Sequence, residues 1–168
     1  MELVNKVAQS GLINFNLEDL YPKEEIVLFD ISEFLFKGLL LKEKDFRSAM
    51  KEIDWSQYEG KILLTFCSTD AIVPHWAFML ISKYAAPFSK AIFQGTEQEY
   101  LKAHYAIEIS KLSVESYVDQ RIVIKGCGEK PVPVEAYSAL TFRLQPHAKS
   151  IMYGEPCSTV PIYKKPRK

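Results

Sequence analysis

The feature that most constrains the fold of this chain is an alternation of strand-length and helix-length apolar segments. Four short apolar runs are predicted as strands, at residues 61–66, 90–94, 121–125 and 149–153. Three longer segments, too long for strands, are predicted as helices at 74–86, 96–111 and 133–145, the second opened by a Thr96/Glu99 capping box. Because alternating strands and helices are joined by right-handed crossovers, the sequence predicts a mostly parallel sheet.

The first sixty residues are predicted to be richer in strands. Strands are expected at 12–15, 26–29 and 38–41, a helix at 43–53 and a linking turn at 55–60. The fold class expected is therefore α/β, of the three-layer, doubly wound type, with helices on both faces and an N-terminal β-rich extension. No internal repeat or flexible linker is evident, and 168 residues suit a single α/β domain over residues 1–168.

Composition excludes several classes of partner. Lys+Arg and Asp+Glu balance at 21 each, so no net field favours nucleic acid or an anionic membrane. The basic run at 164–168 is interpreted as a solubilising end. No window has the length of apolar sequence that a membrane helix needs, and the first residues do not resemble a signal peptide. We expect a cytoplasmic protein with no nucleic-acid and no membrane partner.

Each of the three cysteines lies just after a predicted strand. Cys67 follows 61–66, Cys127 follows 121–125, and Cys157 follows 149–153. In parallel α/β sheets, ligands bind outside the carboxyl ends of the strands. An odd number of cysteines without an export signal favours metal binding or thiol chemistry over disulfides. If strand 61–66 lies between 90–94 and 121–125, and 149–153 lies outside 121–125, the three cysteine loops are neighbours.

The main functional hypothesis is therefore a metal site formed by Cys67, Cys127 and Cys157. Thiolates are suited to zinc or iron, and Asp70 or His75 would supply the fourth ligand because both follow Cys67 closely. His104 in a helix and His147 before a strand are poorer candidates. No Cys-x-x-Cys pair is present, so the hypothesis depends on the assumed strand order.

Two alternatives remain open from the residues alone. A cysteine-dependent enzyme acting on a small anionic substrate would use a thiolate stabilised at a helix amino end, with the loop amides around Gly126 and Gly128 open to the anion. A non-catalytic binding or interaction module would instead have structural cysteines that only pack. The sequence decides neither whether the protein is an enzyme nor its oligomeric state.

Several segments resemble one uncharacterised bacterial family, domain of unknown function 2480. The segments that carry the resemblance are DISEFLFKGLLLKEKDFR at 30–47, CSTDAIVP at 67–74, KGC at 125–127 and KSIMYGEPCSTVP at 149–161. The family supplies no established activity to carry over. The resemblance implies genes near those of iron–sulfur assembly, and so an auxiliary role in iron–sulfur or metal handling with another protein of that process as partner.

Overall fold

The computed structural model describes residues 11–155 and 158–166, and the chain divides into two compact units. Residues 22–100 form one, here called the inserted unit. Residues 11–21 and the described residues from 101 onward form the other, here called the split unit. The described residues contain four α-helices and two open, mostly parallel sheets, so the mixed α/β class is confirmed.

The helices and strands lie close to the predicted boundaries. In chain order they are β1 (Leu12–Asn16), β2 (Ile26–Asp30), α1 (Glu43–Glu52), β3 (Ile62–Phe66), α2 (His75–Ala85), β4 (Ala91–Gln94), α3 (Glu97–Lys111), β5 (Arg121–Lys125), α4 (Val134–Leu144), β6 (Ser150–Glu155) and β7 (Ser158–Lys164). Short 3-10 helices cover Leu17–Leu20, Ile31–Phe34, Trp55–Tyr58 and Glu115–Tyr117. The capping box of α3 is confirmed, because the Thr96 backbone amide donates to the Glu99 carboxylate at 2.8 Å and the Glu99 amide donates to Thr96 Oγ1 at 3.3 Å.

The inserted unit contains a three-stranded parallel sheet in the order β2-β3-β4. The central strand β3 is buried over Ile62–Thr65, as expected for a strand paired on both sides. An aromatic cluster packs beside it, with Trp55 stacked between Phe29 and Tyr84 at centroid distances of 5.6 and 5.9 Å. The Trp55 indole N–H donates to the Met50 carbonyl at 2.8 Å, so its polar atom is satisfied.

The split unit contains a four-stranded sheet in the order β1-β5-β6-β7. All its pairs are parallel except β6–β7, which is antiparallel. Helix α4 buries Ala136, Leu140 and Leu144, which recur at four-residue intervals on one face. Other fully or almost fully buried side chains of this unit include Leu17, Leu101, Tyr105, Ile109, Ile122, Val123, Ile124, Ala148 and Ile151.

The two units repeat one another. Strands β3 and β5 have the same length and start 59 positions apart, and the same offset relates α2 to α4 and the first residues of β4 and β6. Both helices follow a proline, and they bury alanine, then isoleucine or leucine, at matching positions. β1 and β2 likewise share a burial pattern, and each is followed by a 3-10 helix. The interpretation that no repeat is present is therefore wrong.

Equivalent backbone hydrogen bonds, turns and helix caps also occur in both units. The Gly60 amide donates to the Phe88 carbonyl at 3.0 Å, and 59 positions later the Asp119 amide donates to the His147 carbonyl at 2.9 Å. Gly60 and Asp119 both have positive φ, at 70° and 55°. The asparagine or aspartate that ends the first strand of each unit caps the following 3-10 helix in the same way. The repeat thus preserves turns and caps as well as core positions.

The predicted strand order is wrong at one pair. Strand β3 does lie beside β4, and β6 does lie beside β5, but β3 and β5 belong to different sheets. The neighbour of β3 on its other side is β2, and the neighbour of β5 is β1, each through a five-residue parallel ladder. The prediction placed β3 and β5 next to each other. In the structure, β2 occupies that position beside β3, and β1 occupies it beside β5.

The predicted N-terminal β-rich extension is also corrected. Residues 38–41 form no strand, because Lys37 and Gly38 have φ of 51° and 68° and turn the chain so tightly that only a single Phe36–Leu40 bridge forms. β1 and β2 join the parallel sheets instead of forming a meander. Strand β7 was not predicted, since its proline suggests a loop, but an edge strand tolerates proline. None of the helices in the described part of the chain has the length and apolar character of a membrane span.

Candidate functional site

Cys127 lies in the loop that follows β5, between two glycines. Its sulfur is exposed and contacts two phenol groups, Tyr153 Oη from β6 at 3.0 Å and Tyr137 Oη from α4 at 3.6 Å. The two tyrosine rings pack edge to face, with centroids 5.8 Å apart. At Gly126 an added Cβ would lie 2.7 Å from Tyr137 Oη, so glycine is required for the phenol to reach the sulfur.

Glu18, in the 3-10 helix after β1, holds the cysteine loop from the other side. Its carboxylate accepts the backbone N–H groups of Gly128 and, at 3.3 and 3.5 Å, of Glu129 and Lys130. A side chain at position 128 would collide with this carboxylate, which explains the second glycine. Because these amides already bind a carboxylate, they are not open to an anionic substrate, contrary to the expectation from sequence.

Hydrogen bonding makes Cys127 more acidic than an ordinary thiol. The hydroxyl of Tyr153, and then that of Tyr137, lowers the pKa of Cys127 by donating to the thiolate, while partial burial and the Glu18 charge act in the opposite direction. The pKa of Tyr153 is raised by its hydrogen bond to Cys127, and that of Tyr137 by burial and then by the same sulfur. The thiol therefore loses its proton before either phenol does.

The sulfur lies at the wall of an apolar cavity of about 760 Å³ in the split unit. This volume lies within the usual range of small-molecule sites. Helix α4, strands β5 to β7 and the cysteine loop contribute the lining residues, which are Ile124, Cys127, Val134, Tyr137, Ser138, Thr141, Phe142, Gln145, Ile151, Met152, Tyr153 and Ile162. Val134 and Phe142 are 72% and 85% exposed, so large apolar side chains of the cavity lining remain open to solvent.

The inserted unit has a different cluster at the corresponding place. Ser68 stands 59 positions before Cys127, and Phe78 and Gln94 stand 59 positions before the two tyrosines. The Ser68 amide donates to the Asp30 carboxylate at 3.1 Å, and its hydroxyl donates to Ser32 Oγ at 3.0 Å. Although partial desolvation opposes it, hydrogen bonds from Ser68 and Ser32 lower the pKa of Asp30 to about 2. At these three equivalent positions, a cysteine and two tyrosines are thus present in the split unit and absent from the inserted unit.

The predicted ligands that the structure describes are not gathered into a metal site. Among the described residues, no group of three or more His, Cys, Asp or Glu side chains could hold an ion, so the hypothesis of a metal-binding protein is wrong. Cys67 follows β3 and Cys127 follows β5, and these strands lie in separate sheets. The thiol of Cys67 contacts Thr69 Oγ1 at 3.3 Å. Asp70 and His75 are exposed in the inserted unit, and Cys157 lies outside the described residues.

Sequence reasoning identified Cys127 but missed Glu18, Tyr137 and Tyr153. Tyr137 lies ten positions and Tyr153 twenty-six positions from the cysteine, so no local motif joins them. The internal repeat is the signal that was available, because aligning the two units at an offset of 59 shows both tyrosines replaced in the unit that lacks this thiol.

Comparison with known proteins gives a family assignment without an activity. No curated protein and no solved structure matches the chain significantly. A family model, described as "Protein of unknown function (DUF2480)", matches residues 1–165. The resemblance noted in the sequence is thereby confirmed, and the chain belongs to this family of proteins of unknown function.

Proposed function

We propose that this protein binds an apolar small molecule in the cavity of the split unit and reacts with it through the Cys127 thiolate. The observation that carries the proposal is the position of the Cys127 sulfur, exposed at the wall of a cavity of about 760 Å³ and 3.0 Å from the Tyr153 hydroxyl. Reactive cysteines are characteristically accessible and more acidic than a free thiol, whereas structural cysteines are buried and inert.

Each residue of the cluster has a distinct role in this proposal. Cys127 is the nucleophile, because only the thiolate attacks an electrophilic carbon at a useful rate. Tyr153 and Tyr137 stabilise the thiolate by donating hydrogen bonds to it. Glu18 is a positioning residue that holds the loop amides on the far side of the sulfur. The apolar side chains of α4 and β7 bind the body of the ligand.

Alkylation kinetics test the reactive thiol. In a Cys67→Ser/Cys157→Ser variant, Cys127 is the only thiol, and the rate of reaction with iodoacetamide is measured from pH 5 to pH 10. The matched control is a Cys127→Ser/Cys157→Ser variant that retains only Cys67. We expect the Cys127 rate to reach its plateau at a lower pH than the Cys67 rate, because its thiolate is stabilised by two phenols. Equal profiles would contradict the proposal.

Binding of a neutral apolar dye, N-phenyl-1-naphthylamine, tests the cavity. We expect Ser138→Trp to weaken dye binding, because Ser138 is an exposed residue of the cavity wall and an indole side chain there would occupy part of the cavity. The control is Met79→Trp at the equivalent position of α2, where the side chain is 70% exposed. Saturating dye should also slow alkylation of Cys127. Dye binding with an unreactive thiol would instead favour a non-catalytic ligand-binding module.

We also infer from the sequence that the chain forms a single domain with a three-layer, doubly wound arrangement. We infer further that the protein is cytoplasmic and has no nucleic-acid and no membrane partner. The equal numbers of acidic and basic residues support the last of these. Fractionation of the source cells, followed by immunodetection of the protein, tests the location directly.

A further inference from the structure

We propose that the ligand of the Cys127 cavity is an acyl thioester, and that its acyl chain is transferred to the Cys127 sulfur. This inference rests on the proposed function and adds the substrate class. The inference follows from three features of the split unit. They are the acidic and basic groups near the sulfur, the two tyrosine hydroxyl groups that contact it, and the apolar lining of the cavity.

The groups around the sulfur restrict the leaving group. Among the described residues, none of those that line the cavity is charged or a histidine. His104 is engaged elsewhere, because its Nε2 contacts the Leu20 carbonyl at 2.8 Å. Attack of a thiolate on an amide or oxygen ester requires an acid that protonates the departing amine or alkoxide. The hydroxyl groups of Tyr153 and Tyr137 could donate a proton, but their raised pKa values make them weaker acids than ordinary phenols. A thioester releases a thiolate, which leaves without a proton, so thiol–thioester exchange is the acyl transfer that makes the least demand on this cluster.

The two phenols are placed to stabilise the reacting carbonyl group. Tyr153 Oη and Tyr137 Oη lie 3.0 and 3.6 Å from the sulfur, so both are near any carbonyl carbon that the sulfur attacks. Their pKa values are raised, which keeps the hydroxyl groups protonated and able to donate hydrogen bonds at neutral pH. When negative charge moves from the sulfur to the carbonyl oxygen, the same two hydroxyl groups would therefore be available to donate hydrogen bonds to that oxygen.

The cavity fits the hydrocarbon part of such a substrate. Its lining includes Val134, Phe142 and Ile162, which have no polar side-chain atoms and are all well exposed. An acyl chain would cover these side chains and remove them from water. The described residues of the lining offer a carboxylate or phosphate no positively charged side chain. The thiol part of the donor would remain outside, toward solvent.

The transfer balances without a further reactant. The Cys127 thiolate attacks the thioester carbonyl carbon, a new carbon–sulfur bond forms, and the bond between that carbon and the donor sulfur breaks. The electron pair of the broken bond leaves on the donor thiolate. No atom is oxidised or reduced, and no proton is consumed. The products are S-acylated Cys127 and the free donor thiolate.

The test uses acetyl, hexanoyl and decanoyl thioesters of N-acetylcysteamine with the full chain. Acylation is followed by intact mass and peptide mapping, and hydroxylamine sensitivity identifies a thioester. We expect acylation at Cys127, absent in Cys127→Ser, with the apparent binding constant rising by up to about fourfold for each methylene buried. Ser138→Trp should slow decanoyl transfer more than it slows acetyl transfer, because Ser138 lines the cavity, whereas Met79→Trp should change neither.

The outcomes separate this inference from the function on which it rests. If Cys127 reacts readily with iodoacetamide and the cavity binds the dye, but no thioester acylates it, the thioester inference is overturned and the proposed function stands. Acylation that is independent of chain length, or unaffected by Ser138→Trp, would also overturn the inference because the cavity would then not hold the chain. A thiol that reacts with neither reagent overturns both.

Discussion

Replacing Leu140 by alanine should destabilise the protein by about 2–5 kcal/mol, and replacing Ile81 by alanine should cost a similar amount. Both side chains are 0% exposed, and they occupy equivalent positions of α4 and α2. Each substitution removes three carbon atoms, so the lost transfer free energy alone is about 2.4 kcal/mol at about 0.8 kcal/mol per methylene. The cavity left behind adds to this cost, because the surroundings relax only partly.

Urea denaturation measures both costs. Far-UV circular dichroism follows the whole chain, and tryptophan fluorescence follows the inserted unit, since both tryptophans, Trp55 and Trp76, lie there. Met79→Ala and Ser138→Ala are the matched controls, because these residues are the exposed, equivalent positions of the same two helices. We expect each control to change the free energy of unfolding by less than about 0.5 kcal/mol.

The result that would refute the reasoning is a marked asymmetry between the two core substitutions. If Leu140→Ala cost less than about 1 kcal/mol while Ile81→Ala cost several, the two helices would not bury equivalent positions with equivalent packing. The internal repeat would then describe the path of the backbone without describing the energetics of the core.

Three further predictions concern single groups. Tyr153→Phe should shift the alkylation profile of Cys127 to higher pH, because the largest cause of its lowered pKa is the Tyr153 hydrogen bond. Ionised Asp30 should stabilise the fold above its usual pKa of 3.8, and this stability should be lost as pH falls toward about 2, so Asp30→Asn should reduce the acid dependence of urea unfolding. Gly154→Ala should destabilise the β6–β7 hairpin by about 1–3 kcal/mol, because φ is 117° and the added Cβ would lie 2.6 Å from the Ser158 carbonyl oxygen.

Each of these has a result that contradicts it. An unchanged alkylation profile in Tyr153→Phe would show that the phenol does not stabilise the thiolate. Equal acid dependence in Asp30→Asn and the unmodified chain would show that the hydrogen bonds from Ser68 and Ser32 are not maintained in solution. A thermal midpoint unaltered by Gly154→Ala would mean that Gly154 does not hold this positive φ and this close approach to Ser158 in solution.

Local structure could be predicted from this sequence where the apolar pattern is strong. Strand β5 was predicted with its observed ends, and α2 and α4 begin and end within one residue of the prediction. These elements have periodic apolar positions and a proline or glycine near their ends, which are short-range signals. Strand β7 carries the opposite local signal, a proline, and forms because β6 offers it an unpaired edge.

Partner choice between strands could not be predicted in the same way. Any of the apolar strands could have paired with β5, and only the long-range ladder from Leu12 to Asn16 decides which one does. The metal hypothesis failed for that reason, since it required β3 and β5 to be neighbours. The prediction that Cys127 belongs to a functional site does not depend on that pairing. Its partners, Tyr137 and Tyr153, come from the next helix and the next strand along the chain.

The insertion of one unit into the sequence of the other has a consequence for the order of folding. Strand β2 pairs with β3 across about 35 positions, whereas β1 pairs with β5 across about 110, so closing the second loop in an unfolded chain costs about 1 kcal/mol more. During synthesis, β1 leaves the ribosome first, yet its partner is made only after the whole inserted unit. We therefore expect the inserted unit to fold first, and the Cys127 site to be completed last.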